Sequence, residues 1–146
     1  MAYALEADLD ATFGKALVDI ITIDPSTLVR NEIAIQQALD DASALIDGYV
    51  SVRYPLPLAL TPGGVSVVRG LCCNIALCAL ASTADRMSDI IQKRRDEAVK
   101  FLTDVAAGRA NAPIFDPTAQ PEPLSPNEVL TSFADRTFSP TTLGGF

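Results

Sequence analysis

The residues that could do chemistry in this chain of 146 residues are few, and most are aspartates. Asp40, Asp41 and Asp47 carry carboxylates, which Ca²⁺ and Mg²⁺ prefer as ligands. Neighbouring aspartates on a helix point in different directions, so a solvated helix face is favoured over a metal site. The sequence has no histidine, and no Walker loop, nucleophile elbow or dinucleotide-binding motif. We therefore expect that the protein is not an enzyme and binds no cofactor.

The cysteines are the second possible source of chemistry. Cys72, Cys73 and Cys78 match neither a CxxC pair nor a tetrahedral zinc set. They lie in the apolar run 65–81, which also contains Arg69 and Asn74 and falls short of the roughly 18 uncharged residues of a membrane span. The run is predicted to be a central core helix that holds reduced thiols, with Leu71, Ile75 and Cys78 among its least accessible residues.

The charge balance indicates which partners to expect. A net charge of −7 argues against tight binding of a nucleic-acid backbone, which needs clustered Lys and Arg. The basic run 93–95 is followed by Asp96 and Glu97, which favours a salt-bridged, solvated helix face. An acidic surface could nevertheless line a DNA channel without gripping the DNA.

Hydrophobic periodicity predicts an all-α fold, a small bundle of about four helices. The first piece breaks at Gly14 into two short helices. The main helix starts at Asp24–Pro25 and runs through Val50, with Gly48 marking either the close approach of another group or an early helix end. A fourth helix begins at the cap Ser88 and ends at Gly108. The stripe predicted to be buried on the main helix consists of Ile35, Leu39, Ala42, Ile46 and Tyr49, with Ser43 and Asp47 facing elsewhere.

The main helix leaves through a stiff turn that contains two prolines. Each residue before a proline is pushed out of the α region, so the helix has to end by about Arg53. Arg53, Tyr54, Pro55 and Pro57 are predicted to form a fixed elbow that contacts other subunits. The alternative is that Arg53 and Tyr54 close the core of their own domain.

Residues 109–146 form the second predicted unit, an extended proline-rich C-terminal arm that follows the helical domain 1–108. Four of the six phenylalanines lie in this arm, although flexible linkers are poor in aromatic residues. Phe133, Phe138 and Phe146 are predicted to anchor the arm on a neighbouring subunit or a partner. The alternative is a tail that folds back on its own domain.

Three stretches resemble the small head-tail connector, or neck, family of Mu-like tailed phages. The first stretch is N-terminal and consists of Ala2–Tyr3, Leu9 and Phe13–Gly14. The second is the block Ala42–Leu58. The third closes the fourth helix and consists of Arg95, Ala98, Leu102 and Ala107–Gly108. The helix order is also similar to that of the α-helical adaptor proteins of long-tailed phages. The pair Cys72–Cys73 departs from the family pattern, and the proline-rich tail is too generic to be matched residue by residue.

The resemblance implies a structural virion protein. It implies a homo-oligomeric ring of twelve subunits in the neck, bound to the portal protein and to a head-closure or tail-terminator protein, with genomic DNA passing through the lumen without sequence-specific binding. It also implies a location in the virion neck, and in the host cytoplasm during assembly, with no membrane partner. Two alternatives stay open: a tail-terminator or tail-assembly factor, and a helical regulatory module that is not part of a virion.

Overall fold

The computed structural model describes residues 2–24, 26–110 and 114–115, and the prediction of an all-α fold is confirmed. Within these residues the chain forms five helices and only isolated β-bridges. The helices are α1 (Glu6–Phe13), α2 (Lys15–Thr22), α3 (Glu32–Val50), α4 (Pro62–Thr83) and α5 (Asp89–Ala106).

The predicted break at Gly14 separates α1 from α2, and it also changes which residues are buried. Gly14 has a φ of +84°, which glycine adopts without a steric cost. The turn shifts the helical phase, so α2 buries Val18 and Ile21 while Ile20 is 58% exposed. The two short helices therefore bury residues at different phases of the helical repeat.

The start of α3 differs from the prediction. The Asn31 side chain caps the helix by accepting a hydrogen bond from the Ala34 N–H at 3.0 Å. The Asp24 carboxylate is used in its own turn, where it accepts from the Ser26 N–H at 2.7 Å and from the Ser26 hydroxyl. Asp24 therefore closes the α2–α3 loop instead of starting a helix.

The buried face of α3 contains one polar residue that the periodicity had placed outside. Ser43 is buried; its hydroxyl donates to the Leu39 carbonyl at 2.8 Å and accepts the Tyr3 N–H at 3.1 Å. The Tyr3 hydroxyl donates to Asp47. These bonds fix the N-terminal segment on α3. Ser43 can be buried although it is polar, because its hydroxyl has hydrogen-bond partners inside the protein.

Helix α4 is the central helix, as predicted: both α3 and α4 pack against all four other helices, and the contacts of α4 are the more extensive. The Thr61 side chain caps it, and Pro62 occupies the first turn. By length and composition α4 could cross a membrane, but half of the apolar window is buried inside the bundle, as expected for a core helix. The deepest residues are Cys72, Cys73, Ala76, Leu77 and Ala81. Ile75 is buried as predicted, whereas Leu71 and Cys78 are only partly buried, contrary to the prediction.

Helix α5 has the predicted caps. The Ser88 hydroxyl accepts the Ile91 N–H, and Gly108 adopts a φ of +71° after the last turn. The Gly108 N–H donates to Val105 and the Arg109 N–H to Asp104, which is the hydrogen-bond pattern of a Schellman motif.

An ion cluster around Arg30 holds the N-terminal half together. Its guanidinium contacts Glu6 and Asp10 of α1 at 2.7 and 2.9 Å, and Asp19 of α2 at 2.6 Å. The Arg30 side chain is only 12% exposed, and the carboxylates hold its pKa above the ordinary value against the effect of burial. One cation thus joins α1, α2 and the start of α3.

Candidate functional site

The elbow between α3 and α4 contains four of the predicted interface residues, and the structure divides them into two pairs. Arg53 and Tyr54 are half-buried against their own domain, whereas Pro55 and Pro57 are exposed. The Leu56–Pro57 peptide bond is cis. The elbow therefore has an inner side that fixes it and an outer side that is free for contacts.

Tyr54 is fixed by an aromatic partner from far along the chain. Its ring stacks on that of Phe115 with centroids 4.1 Å apart and ring planes 23° from parallel. Such pairs contribute about 0.5 to 1.5 kcal/mol beyond their buried area. The contact joins the elbow to the segment that follows α5.

Ile114 and Phe115 form a strap across the start of α4; we use "strap" for these two residues. Ile114 is buried, and its carbonyl oxygen accepts the Thr61 N–H at 2.9 Å and the Thr61 hydroxyl at 3.2 Å. Leu60 forms an antiparallel bridge with Phe115. A Cβ atom on Gly64 would lie 2.1 Å from the Ile114 oxygen, so only glycine lets the strap lie this close to α4.

Arg53 extends to the C-terminus of α5. A Cβ atom on Gly108 would lie 1.5 Å from Arg53 Nη1, which places the guanidinium directly beside that glycine. The last turn of α5 has no basic residue of its own. A cation at a helix C-terminus is favoured by the helix dipole, and Arg53 supplies it from another element.

The outer side of the elbow is an apolar ridge, which we define as Val52, Pro55, Leu56 and Pro57. Val52 is 75% exposed and Leu56 is 49% exposed. Of these four residues, the two prolines were predicted contact residues, whereas Val52 and Leu56 were not. The available signal for Leu56 was the apolar run 54–60, on a segment that proline keeps out of the helix. Arg53 separates Val52 from this run, so the run gave no signal for Val52.

The strap was also missed as part of this site. Ile114 and Phe115 belong to the segment 109–146, and a β-branched and an aromatic residue between Pro113 and Pro117 were the available signal. Phe133, Phe138 and Phe146, the other predicted contacts, lie outside the described residues.

The thiols in the described chain are suited to packing. Burial raises the pKa of Cys72 and raises that of Cys73 to about 11, so both thiols are protonated at neutral pH. The thiolate is the reactive form of cysteine, and these two side chains are fully buried. The elbow, in contrast, offers a rigid and exposed apolar surface, which suits the binding of a protein.

Comparison with known proteins gives three findings. The family model described as bacteriophage Mu, Gp36 matches residues 3–130. Gene product J of Escherichia phage Mu is 33% identical over 120 residues, which cover 82% of this chain and 82% of that protein. The Mu-like prophage FluMu protein gp36 of Haemophilus influenzae is 29% identical over 144 residues, which cover 99% of this chain and 97% of that protein.

Proposed function

Because the chain belongs to the bacteriophage Mu Gp36 family, we propose that it is a structural protein of the phage neck that forms a ring between the portal and the tail. In this role it connects the head to the tail, and genomic DNA passes through its lumen. Membership of the family indicates a phage protein, and the exposed apolar residues at the elbow suggest a role in protein–protein assembly.

The observation that carries the proposal is the apolar ridge at the elbow. Four apolar residues are exposed there on a support that is fixed by the Tyr54–Phe115 stack, by the strap and by Arg53. A preorganised surface loses little conformational entropy on binding, which is an advantage in an assembly interface. The net charge of −7 suits a channel in which DNA moves without adhering.

The test is complementation in the phage or prophage that encodes the protein. Deleting the gene should give DNA-filled heads without attached tails, and a wild-type copy should restore complete particles that contain the protein. Leu56→Asp should fold normally, because the side chain is half exposed, but should not be incorporated. The matched control is Ile90→Asp, which is 67% exposed in the first turn of α5, where a negative charge is favourable.

The result separates the three roles considered for the chain. Protein found between head and tail supports the neck role. Normal head-tail joining after deletion, with failure of tail assembly itself, would favour a tail-terminator or tail-assembly factor. Complete infectious particles that lack the protein would favour a role outside the virion.

A further inference from the structure

Helices α1 and α2 form an acidic hairpin, and each of its carboxylates is paired with an arginine outside the hairpin. Residues 1–23 contain four acidic residues, which are Glu6, Asp8, Asp10 and Asp19. Three of their carboxylates contact the Arg30 guanidinium at 2.6 to 2.9 Å. The fourth, that of Asp8, lies 3.4 Å from Nη1 of Arg69 on α4. Two arginines therefore hold the acidic side chains of the hairpin on the bundle.

The apolar attachment of the hairpin is small compared with that between the other helices. Its buried apolar side chains are Leu9, Val18 and Ile21, whereas Leu17 and Ile20 on α2 are exposed. Helices α3, α4 and α5 pack on one another more extensively than on α1 or α2. The ionic contacts therefore carry a large share of what keeps the hairpin closed.

The α2–α3 loop joins the hairpin to α3 without anchoring it. Leu28 has a φ of +55°, which is a strained conformation for a bulky residue. The side chains of Leu28 and Val29 are 76% and 64% exposed, so neither is packed on the bundle. The loop therefore opposes opening of the hairpin through its backbone hydrogen bonds alone, and the strain at Leu28 favours opening.

The hairpin covers two thiols of α4. Cys72 and Cys73 are fully buried. Cys73 lies beside the Thr12 side chain of α1, and Cys72 lies beside the backbone of Ala4, just before α1. Cys78 is on the same helix but lines a groove between α3, α4 and α5 instead. Movement of the hairpin would therefore expose the first two thiols and leave the surroundings of the third unchanged.

We propose that α1 and α2 form a latch, which opens from the bundle on its own and exposes Cys72, Cys73 and the apolar face of α4 while α3, α4 and α5 stay packed. Local opening occurs in the parts of a fold that bury few apolar contacts. Arg30 and Arg69 control the latch, because each carboxylate of the hairpin has to leave one of them when it opens. The inference goes beyond the proposed function and concerns the single chain, so it holds or fails independently of the neck role.

The first experiment measures amide hydrogen exchange in the full chain, by mass spectrometry of peptides at pH 7 in increasing urea. In wild type, α1 and α2 should exchange at least about tenfold faster than α4, because opening of the latch requires less free energy than global unfolding. Their exchange should also depend less on urea, since the opening exposes less surface. Exchange of α1 and α2 at the rate of α4, with the same urea dependence, would overturn the proposal.

A core substitution separates the latch from the global stability of the fold. Val105 is buried in the last turn of α5, a helix that packs on α3 and α4. Val105→Ala should therefore speed exchange in α3, α4 and α5, and it should leave exchange in α1 and α2 unchanged. Equal acceleration of all five helices would show a single cooperative unit and would overturn the proposal.

Substitutions of arginine test what holds the latch. Arg30→Gln should speed exchange in α1 and α2 at least about tenfold, because three partly buried carboxylates lose their shared cation. Arg69→Gln is the milder variant, since this side chain is 45% exposed, and it should act in the same direction. The matched control is Arg109→Gln, which removes an exposed pair with Asp104 and should leave α1 and α2 unchanged.

The second experiment uses the native thiols of the full chain. Iodoacetamide labelling, located by mass spectrometry, should be faster at Cys72 and Cys73 in Arg30→Gln than in wild type, because the open latch gives the reagent access. Cys78 is the internal reference, and its labelling rate should not change. Val105→Ala should label Cys73 at the wild-type rate. Labelling of Cys72 and Cys73 that is no faster in Arg30→Gln than in wild type would overturn the proposal.

Discussion

Replacing Gly64 by alanine is the sharpest test of how the elbow is fixed. The new methyl group would lie 2.1 Å from the carbonyl oxygen of Ile114 and 2.8 Å from its carbonyl carbon. These are backbone atoms, so a change of side-chain rotamer cannot relieve the clash. Either the strap or the first turn of α4 has to move.

Gly63 provides a matched control in the same helical turn. A Cβ atom on Gly63 would meet nothing within 4 Å, so Gly63→Ala should stabilise the protein by up to about 1 kcal/mol through helix propensity. Gly64→Ala gains the same contribution but loses the strap. Two hydrogen bonds at a net value of roughly 0.5 to 1.5 kcal/mol each and the burial of Ile114 at roughly 1.5 to 3 kcal/mol give an upper limit of about 6 kcal/mol.

We expect Gly64→Ala to be less stable than Gly63→Ala by about 2 to 5 kcal/mol, measured by urea unfolding followed by circular dichroism. Phe115→Ala should add little in the Gly64→Ala background, because the stack with Tyr54 has already been lost, although it should be costly in wild type. Equal stability of the two glycine variants within about 0.5 kcal/mol would refute the strap. Additive effects of Gly64→Ala and Phe115→Ala would show that the two contacts are independent.

Two further predictions concern the core. Arg30→Met should lower the free energy of unfolding by about 2 to 4 kcal/mol, measured by urea denaturation, because three carboxylates would lose their shared cation while staying partly solvated; a loss below about 0.5 kcal/mol would contradict this. Raising the pH from 9 to 11 should destabilise wild type by roughly 2 kcal/mol more than Cys73→Ala, because the folded state holds the pKa of Cys73 at about 11, from an ordinary 9.0, and resists the ionisation that the unfolded chain undergoes. Parallel stability–pH curves for the two proteins would contradict this second prediction.

Local signals were sufficient for much of the fold. Ser88 and Gly108 mark the two ends of α5 because each forms a hydrogen bond with a backbone group three residues away. Gly14 marks the α1–α2 break because it bonds to the Asp10 carbonyl and adopts a positive φ. Gly48 is the opposite case, since the helix continues through it and a Cβ atom there would meet nothing within 4 Å. Neither predicted reason for that glycine holds in the described chain.

The contacts that build the candidate site depend on distant parts of the sequence, which periodicity does not encode. Tyr54 meets Phe115, and Thr61 meets Ile114, across more than fifty residues. A proline-rich stretch predicts only that the chain is extended, and an extended chain can lie on its own domain as easily as on a neighbour's. Ile114 and Phe115, which belong to that stretch, lie on their own domain.

This division determines how the ridge can work. The strap fixes the ridge at the end of α3, whereas the ion cluster of Arg30 fixes the start of the same helix, and α3 is a continuous helix of 19 residues between them. At 1.5 Å per residue the two fixed points are about 28 Å apart along that helix. Neither the strap nor the ion cluster uses the side chain of Leu56, so contacts at the ridge can be lost while the helices stay packed. Leu56→Asp should therefore leave the thermal midpoint of unfolding unchanged but prevent incorporation into particles, and a lowered midpoint would show that Leu56 belongs to the core of its own domain.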